Sequence, residues 1–153
     1  MKILVDTREH LPYTFERFEG VQVVRGTLET GDYSLVGLEH LACIERKSID
    51  DLLGCLTSGR ARFERELARM RSYQLKGVVV ECNLQDISRG RYTSRMEPQA
   101  ALQSIICFQV RYSIPFIWAG NRAGGEYLTH GLLAKMAREI TRQYTAISQV
   151  DGC

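Results

Sequence analysis

Two carboxylates and a lysine occur at a spacing that suits hydrolysis of a phosphodiester bond. Glu45 and Lys47 lie two residues apart in a largely apolar segment, and Asp32 precedes them. Side chains alternate between the two faces of a strand, so Glu45 and Lys47 point the same way while Arg46 points the opposite way. If residues 35–47 form a hairpin, Asp32 lies at the far end of the partner strand. The three side chains then converge on one edge of a sheet.

These residue types match metal-assisted chemistry. Carboxylate oxygens are hard ligands that suit Mg²⁺ or Mn²⁺. Such a cation polarises the phosphoryl oxygen and lowers the pKa of its water, while a lysine orients that water or offsets charge on the scissile phosphate. Asp6 and Glu9, at the end of the first predicted strand, would add a third and a fourth carboxylate.

The same residues also fit purely structural roles. Glu45 and Lys47 could be an exposed cross-strand charge pair, and Asp32 could belong to a simple turn. Asp51 could serve as a helix cap, because Ser48 stands three residues before it. Since a carboxylate followed by E-x-K is common by chance, spacing alone does not choose between these roles and catalysis.

Apolar runs predict alternating strands and helices. One helix begins at Ser48, a second follows Gly59, and Pro98 suits the first turn of a third. Residues 88–96 and 120–125 are predicted to be loops. The predicted strands are Ile3–Val5, Val21–Val24, Tyr33–Val36, Leu41–Lys47, Gly77–Cys82 and Ile114–Trp118. The predicted inward helix positions are Ile49, Leu52, Leu53 and Leu56, then Phe63, Leu67 and Met70, and last Leu128, Leu132, Met136, Ile140 and Tyr144.

Length and composition fit one α/β domain over residues 1–153. Of the 153 residues, 44% are hydrophobic and 25% charged, which excludes wholesale disorder and collagen-like repeats. We expect a core at 1–82 that carries the motifs and a helical and strand remainder at 83–153. With 20 Lys+Arg against 18 Asp+Glu, the net charge is only +2. Any basic surface must therefore come from local clustering.

Location is indicated by what the chain lacks. No run approaches the ~20 apolar residues of a membrane span, and Asp6 comes too early for a signal peptide. The three histidines form no H-x-x-x-H pair, so the sequence gives little support to a metal site built from histidines. We expect a cytoplasmic protein without a targeting signal or a membrane partner, associated with the nucleoid if bacterial. The cysteines, odd in number and without C-x-x-C spacing, are expected to be reduced thiols: Cys43, Cys55, Cys82, Cys107 and Cys153.

Two groups of basic residues are candidates for contact with DNA, whose phosphates need locally positive surface. The alternative is a solvated helix face, since Arg62 and Glu66 have the spacing of an ordinary ion pair within a helix. One group, over the second predicted helix and its end, contains Arg60, Arg62, Arg65, Arg69, Arg71 and Lys76. The other, in the loop 88–96, contains Arg89, Arg91 and Arg95.

The helix predicted over Pro98–Tyr112 is apolar around much of its circumference, which is typical of a buried helix. In a small domain that burial can be satisfied within the monomer or against a second copy. We expect a homodimer.

The sequence around these residues resembles the XPF-type structure-specific nuclease family. Val5-Asp6-Thr7-Arg8-Glu9 matches the family's V-D-x-R-E motif. Gly31-Asp32 and then Glu45-Arg46-Lys47 followed by Asp51 match its G-D-x(n)-E-R-K-x-x-x-D motif. The specific resemblance covers roughly residues 3–81, and beyond it only the α/β pattern agrees.

This resemblance implies a restriction-endonuclease-like core, with a central mixed sheet flanked by helices. It also implies a Mg²⁺- or Mn²⁺-dependent endonuclease that cuts branched or flapped DNA in repair or recombination. By position, Asp32 and Glu45 match the family's metal ligands and Lys47 its catalytic lysine, with the Arg46 carbonyl a further possible ligand. The predicted catalytic residues are Asp6, Asp32, Glu45, Arg46 and Lys47, of which Asp6, Asp32 and Glu45 are predicted to bind metal. The residues predicted to contact DNA are Arg8, Arg60, Arg62, Arg89, Arg91 and Arg95. Glu9 and Asp51 are predicted to have supporting roles.

The chain departs from the family pattern after Trp118, where a single predicted amphipathic helix replaces the usual tandem helix-hairpin-helix repeats. A dimer mate or a separate DNA-binding partner is therefore expected to help grip the duplex. Two alternatives stay open: a non-catalytic DNA-binding or scaffold subunit, and a four-way-junction resolvase. The presence of Asp32, Glu45 and Lys47 together favours an enzyme.

Overall fold

Six strands form one mixed sheet in the computed structural model, which describes residues 1–150. Their order across the sheet is β2-β1-β3-β4-β5-β6. β3 runs antiparallel to both of its neighbours, and the other adjacent pairs are parallel. The strands are β1 (Lys2–Asp6), β2 (Gln22–Gly26), β3 (Tyr33–Leu35), β4 (Ala42–Lys47), β5 (Leu75–Val80) and β6 (Phe116–Trp118).

Five helices are described: α1 (Ile49–Leu56), α2 (Arg60–Met70), α3 (Leu84–Ser88), α4 (Pro98–Tyr112) and α5 (Arg122–Val150). As the sequence predicts, Ser48 caps α1, and its Oγ accepts a 3.2 Å hydrogen bond from the Asp51 N–H. Pro98 occupies the first turn of α4, where its missing N–H costs nothing.

Each face of the sheet carries its own apolar core. Val78 and Val80 on β5 pack with α1, α2 and α4, whereas Val79 between them packs with α5 and the segment around Phe15. The same alternation in β4 sends Cys43 to the first core and Ile44 to the second. Glu45 and Lys47 are therefore on the side of α1 and α2, and Arg46 is on the side of α5.

The predicted loop at 120–125 is wrong beyond Asn121, because α5 begins at Arg122. Asn121 starts this helix: its Oδ1 accepts from the Gly124 N–H at 2.8 Å, and its carbonyl accepts from the Gly125 N–H at 2.9 Å. Gly125 is needed inside the helix because a Cβ there would collide with the Tyr13 hydroxyl. The glycines that suggest a loop are instead sites of close packing.

The inward face of α5 matches the prediction in part. Met136 is buried, and Leu132 and Ile140 pack against the core, as predicted. The other buried positions are Gly125, Thr129 and Leu133, and Tyr144 is 72% exposed. The helix leaves the sheet before it reaches Tyr144, and residues 141–150 are all exposed.

Two further differences concern α3 and α4. α3 is not predicted because it has only five residues, too few for apolar periodicity to show. α4 is buried on one side only, through Ala101, Ile105 and Phe108. Ile106 and Val110 on its other side are 50% and 79% exposed.

Four of the five cysteines lie within the described residues. Cys43, Cys55, Cys82 and Cys107 are free, whereas Cys153 lies outside the described residues. Over 1–150, none of the helices has the length and apolar character that crossing a membrane requires.

Candidate active site

Asp32, Glu45 and Lys47 line one polar cavity of about 190 Å³. The hairpin of β3 and β4 brings them together. The Asp32 N–H donates to the Ile44 carbonyl at 2.9 Å, and the Arg46 N–H donates to Asp32 Oδ2 at 2.8 Å. Lys47 Nζ lies 2.8 Å from Glu45 Oε1. The side chains that the spacing predicted to converge are thus held by backbone bonds of one hairpin.

Gly31 is the residue that lets Asp32 take this place. Its φ of +82° is one that residues with a side chain rarely adopt. A Cβ at Gly31 would also lie 2.5 Å from Cys43 Sγ on the neighbouring strand. The glycine before Asp32 is therefore required both by its backbone conformation and by close packing.

The two carboxylates oppose each other's ionisation. Burial, and then the charge of Glu45, raises the pKa of Asp32 to about 8. Burial also raises the pKa of Glu45, against the opposing effect of Lys47. A cation between them would relieve both the desolvation and the repulsion, so this pair suits a positively charged ligand.

The donor set fits a hard divalent cation that keeps much of its water. Among residues 1–150, no three His, Cys, Asp or Glu side chains lie close enough to hold a metal ion together. Mg²⁺ is commonly held by one or two carboxylates, with water and substrate phosphates filling its other positions. Asp32 and Glu45 meet that description.

Lys47 is the positively charged partner of Glu45 at this site. Burial would lower its pKa, but the charge and hydrogen bond of Glu45 outweigh burial and raise it. The ammonium also lies 5.4 Å from the centre of the Phe63 ring. Lys47 therefore stays protonated at neutral pH and contributes a fixed positive charge rather than a base.

Asp6 lines the cavity, but its oxygens are taken by internal bonds. Oδ1 accepts from the Leu28 N–H at 2.8 Å and from Arg8 Nη2 at 3.2 Å, and Oδ2 accepts from Arg8 Nε at 2.7 Å. Burial would raise the Asp6 pKa, but these bonds outweigh it and lower the pKa. The geometry favours a structural part for Asp6, which anchors Arg8 at the cavity, over the predicted part of a third metal ligand.

The Arg46 side chain is not brought into this cavity. It crosses to the other face of the sheet, as strand alternation requires, and binds Glu81 through Nε at 2.6 Å and Nη2 at 3.1 Å. Glu9 lies 3.5 Å from Arg46 Nη1, and the Tyr13 hydroxyl donates to Glu81 at 2.7 Å. Arg46 therefore reaches the site through its backbone, whose N–H binds Asp32, and not through its guanidinium. Sequence reasoning missed Glu81 as the partner of Arg46, because nothing in a strand pattern pairs the two.

The predicted DNA-contacting arginines divide into three groups. Arg8 and Arg62 line the cavity beside Asp32. Arg60 does not, because it lies against α4, with Nη1 2.9 Å from Ser104 Oγ and its guanidinium 4.7 Å from the centre of the Phe108 ring. The loop that follows α3 carries exposed Arg89, Arg91 and Arg95, of which Arg91 pairs with Asp86 at 3.1 Å.

That arginine loop lies next to the site. The Thr93 N–H donates to Asp50 Oδ1 at 2.9 Å, at the start of α1. Asp50 and the predicted supporting residue Asp51 line a second cavity of about 350 Å³, which Lys47 also lines. A strand of DNA bound at Lys47 would therefore lie close to this loop.

Three residues of the site were missed by sequence reasoning: Glu29, Thr30 and Glu66. Arg69, from the basic group predicted over α2, also lines the cavity. Glu66 stands between Arg62 and Arg69 at a spacing that shares one face of the helix, which is the one signal available. The predicted ion pair between Arg62 and Glu66 is absent over the described residues, where the pair on α2 joins Arg60 and Glu64.

Comparison with known proteins identifies the family of this chain. A model described as the ERCC4 domain matches residues 5–130. The DNA repair endonuclease XPF of Cricetulus griseus is 40% identical over 82 residues, which cover 52% of this chain and 8% of that protein. The DNA repair endonuclease UVH1 of Arabidopsis thaliana is 36% identical over 83 residues, with the same shares. The chain thus spans less than a tenth of the length of these relatives.

Solved structures agree on the fold. XPF from Aeropyrum pernix superposes with a TM-score of 0.71 at 23% identity, over 95% of this chain and 69% of that one. The same protein in complex with DNA gives a TM-score of 0.65 at 24% identity, over 90% and 66% of the two chains. The predicted restriction-endonuclease-like core, a mixed sheet flanked by helices, is confirmed. Because the family model spans well over half of its length, this chain belongs to the ERCC4 domain family, the family of XPF-type nuclease domains.

Proposed function

We propose that this chain is a divalent-metal-dependent DNA endonuclease that hydrolyses phosphodiester bonds in branched or flapped DNA during repair or recombination. The observation that carries this proposal is the convergence of Asp32, Glu45 and Lys47 in one polar cavity. Family membership supports it, since relatives of this chain are named DNA repair endonucleases.

In this mechanism Asp32 and Glu45 hold Mg²⁺ or Mn²⁺. When bound, the cation polarises the scissile phosphate and makes water more acidic. The Arg46 N–H fixes Asp32, and the Lys47 ammonium fixes Glu45, so that neither carboxylate needs to reorganise during the reaction. Lys47 also offsets negative charge that builds up on the phosphate.

Arginines at the cavity bind the neighbouring phosphates. Arg8 and Arg69 line it with Arg62, and guanidinium groups match phosphate geometry. Arg8 contributes mainly its charge and Nη1, because its Nε and Nη2 already bind Asp6 and the Leu28 carbonyl. Because Arg8 is anchored by Asp6, its position is set before DNA arrives. The exposed loop residues Arg89 and Arg95 extend this positive surface away from the site.

A second copy of the chain is proposed to cover the exposed side of α4. A groove of about 710 Å³ lies there between α3, α4 and β6, lined among others by Leu84, Ile106 and Trp118. β6 is also the last strand of the sheet, with no described strand beyond it. Exposed apolar side chains beside an open strand edge favour association.

The test of the catalytic proposal is the substitution Glu45→Gln. It keeps the size of the side chain but removes a charge, so cleavage in Mg²⁺ should fall about 100-fold or more. Glu64→Gln is the matched control, because Glu64 faces α4 and pairs with Arg111 at 2.7 Å. It should cut at nearly the wild-type rate. Wild-type cleavage by Glu45→Gln would remove Glu45 from the site.

A further inference from the structure

Glu66 on α2 lies where two cavities adjoin. It lines the 190 Å³ cavity with Asp32 and Glu45, and it lines the 350 Å³ cavity with Asp50 and Asp51. Lys47 is shared by both cavities in the same way. A ligand that occupied either cavity near Lys47 would therefore meet Glu66.

The carboxylate of Glu66 has no direct partner among the side chains of the described residues. Over residues 1–150 it has no ion pair and no hydrogen bond, although Arg62 and Arg69 stand one turn away on the same helix. Glu64, two residues earlier, contrasts with it, since it binds Arg111 at 2.7 Å and Tyr112 at 2.9 Å. Lys47 is already engaged by Glu45 at 2.8 Å.

The charge of Glu66 shifts the pKa values of two other residues of the site, Glu45 and Lys47. Burial is the largest influence on the pKa of both Glu45 and Lys47, and the charge of Glu66 adds to the rise at each. A half-buried carboxylate that opposes ionisation of its neighbour is costly unless a cation offsets it. Cationic side chains line the same cavity as Glu66, namely Arg8, Lys47, Arg62 and Arg69, but within residues 1–150 none of them forms a direct ion pair with it.

A second observation at this cavity is a buried polar group that has no partner. Thr30 lines it and is only 5% exposed, yet its hydroxyl has no hydrogen-bond partner among residues 1–150. Buried hydroxyls are ordinarily satisfied by protein or by ordered water. A carboxylate without a direct partner and a buried hydroxyl without one, both on residues that line one cavity, suit a hydrated cation, which offers charge and hydrogen-bond donors together.

We infer that Glu66 is a third acidic residue of the metal site, one that positions the cation held by Asp32 and Glu45 without touching it directly. This inference rests on the proposed function. Since no three acidic side chains are close enough to share a metal ion in the described chain, Glu66 acts through the water that Mg²⁺ retains. Its role is thus that of a positioning residue, which raises affinity for the cation.

The test is calorimetric titration of the full chain with Mg²⁺ and with Mn²⁺, without DNA. Glu66→Gln should weaken binding about 10-fold, as is usual for groups just outside the ligands. Glu64→Gln, the same change on the same helix, should bind as the wild type does. Glu66→Asp, which keeps the charge, should recover part of the affinity.

Thermal melts without metal separate this role from a structural one. The Glu66 charge repels Glu45 but attracts Lys47 and Arg8, so the Tm of metal-free Glu66→Gln should stay close to that of the wild type. A lower Tm together with unchanged metal affinity would make Glu66 merely structural. Unchanged affinity at any Tm overturns the inference while the proposed function stands. A wild-type protein that binds neither cation would overturn the proposed function and this inference with it.

Discussion

At the scale of residues, the site combines groups that destabilise one another in the absence of a cation. Asp32 and Glu45 are both buried, and each has a raised pKa. The protein compensates in part, with the Arg46 N–H on Asp32 and the Lys47 ammonium on Glu45. Perturbed carboxylates of this kind, in a polar cavity, are typical of functional sites rather than of stable cores.

The first prediction concerns the pH dependence of metal binding. With a pKa of about 8, Asp32 is largely protonated at pH 7 and must lose that proton to bind a cation. Below pH 8, affinity for Mg²⁺ should therefore rise about tenfold per pH unit, and it should level off above pH 8. Calorimetry at pH 6, 7, 8 and 9 measures this. The same affinity at all four values would mean that Asp32 is already ionised or is not a ligand.

Only part of this residue-scale picture is predictable from sequence. Strand alternation is enough to place Glu45 and Lys47 together and Arg46 opposite, because all three are on one strand. The bonds of Asp6 are not predictable, because they depend on the Leu28 N–H, which a distant loop supplies.

At the scale of elements, β4 controls which groups reach the cavity. Its parallel pairing with β5 sets Glu45 opposite Val78 and Lys47 opposite Val80. A slip of one residue would exchange the faces, sending Arg46 into the cavity and Glu45 to the core under α5. On that other face, Glu81 holds the Arg46 guanidinium and so secures the register.

The second prediction tests the packing of α5 against this network. Gly125→Ala places a Cβ against the Tyr13 hydroxyl, which donates to Glu81, and should destabilise the protein by about 1–3 kcal/mol. Gly131→Ala on the same helix is the control. Nothing lies within 4 Å of a Cβ there, so it should stabilise by about 0.5–1 kcal/mol. Chemical denaturation measures both. Equal effects of the two substitutions would argue against close packing at Gly125.

The third prediction concerns the loop between α3 and α4. Replacing Arg89 and Arg95 together by Ala should weaken DNA binding and reduce the slope of log K against log salt by about 0.9 for each phosphate that the loop no longer neutralises. Arg91→Ala should have a smaller effect, because Arg91 is paired with Asp86 at 3.1 Å. Binding titrations at several salt concentrations measure the slopes. An unchanged slope in the double variant would assign the loop to solvent.

Element type follows from sequence where periodicity is long and clear, as at β5 and α2. It fails where packing overrides local preference. Gly124 and Gly125 suggest a loop, yet they lie in a helix because close contacts with Ala119 and Tyr13 leave room only for glycine. The start of that helix at Arg122 depends on those contacts and on the Asn121 cap.

At the scale of the whole molecule, the net charge of +2 gives little general attraction to DNA. The arginines at the cavity and in the loop after α3 must supply it locally. The surface at α4 is apolar instead of charged, because Ile106 and Val110 are exposed there. Such a surface is better suited to a protein partner than to DNA. Sequence periodicity shows that α4 is apolar around much of its circumference, but it cannot tell burial in one chain from burial between two.

The fourth prediction is that the chain is a dimer through α4. Light scattering on a sizing column should give twice the 17.4 kDa mass of the chain. Changing Ile106 and Val110 together to Asp should convert it to a monomer that keeps its fold by circular dichroism. Leu11→Asp, at another exposed apolar residue, should stay dimeric. A wild-type protein that is monomeric at micromolar concentration would contradict the proposed assembly.

The most direct test of the central claim is cleavage of labelled flap, fork, four-way and linear DNA in Mg²⁺ or Mn²⁺, beside Lys47→Ala. We predict cutting that prefers a flap or fork and that disappears in Lys47→Ala, because the fixed charge beside Glu45 is gone. Preference for the four-way junction would make the enzyme a resolvase. Equal cutting by the wild type and by Lys47→Ala would place the chemistry elsewhere, and no cutting of any substrate by the wild type would contradict the proposal of an enzyme active on its own.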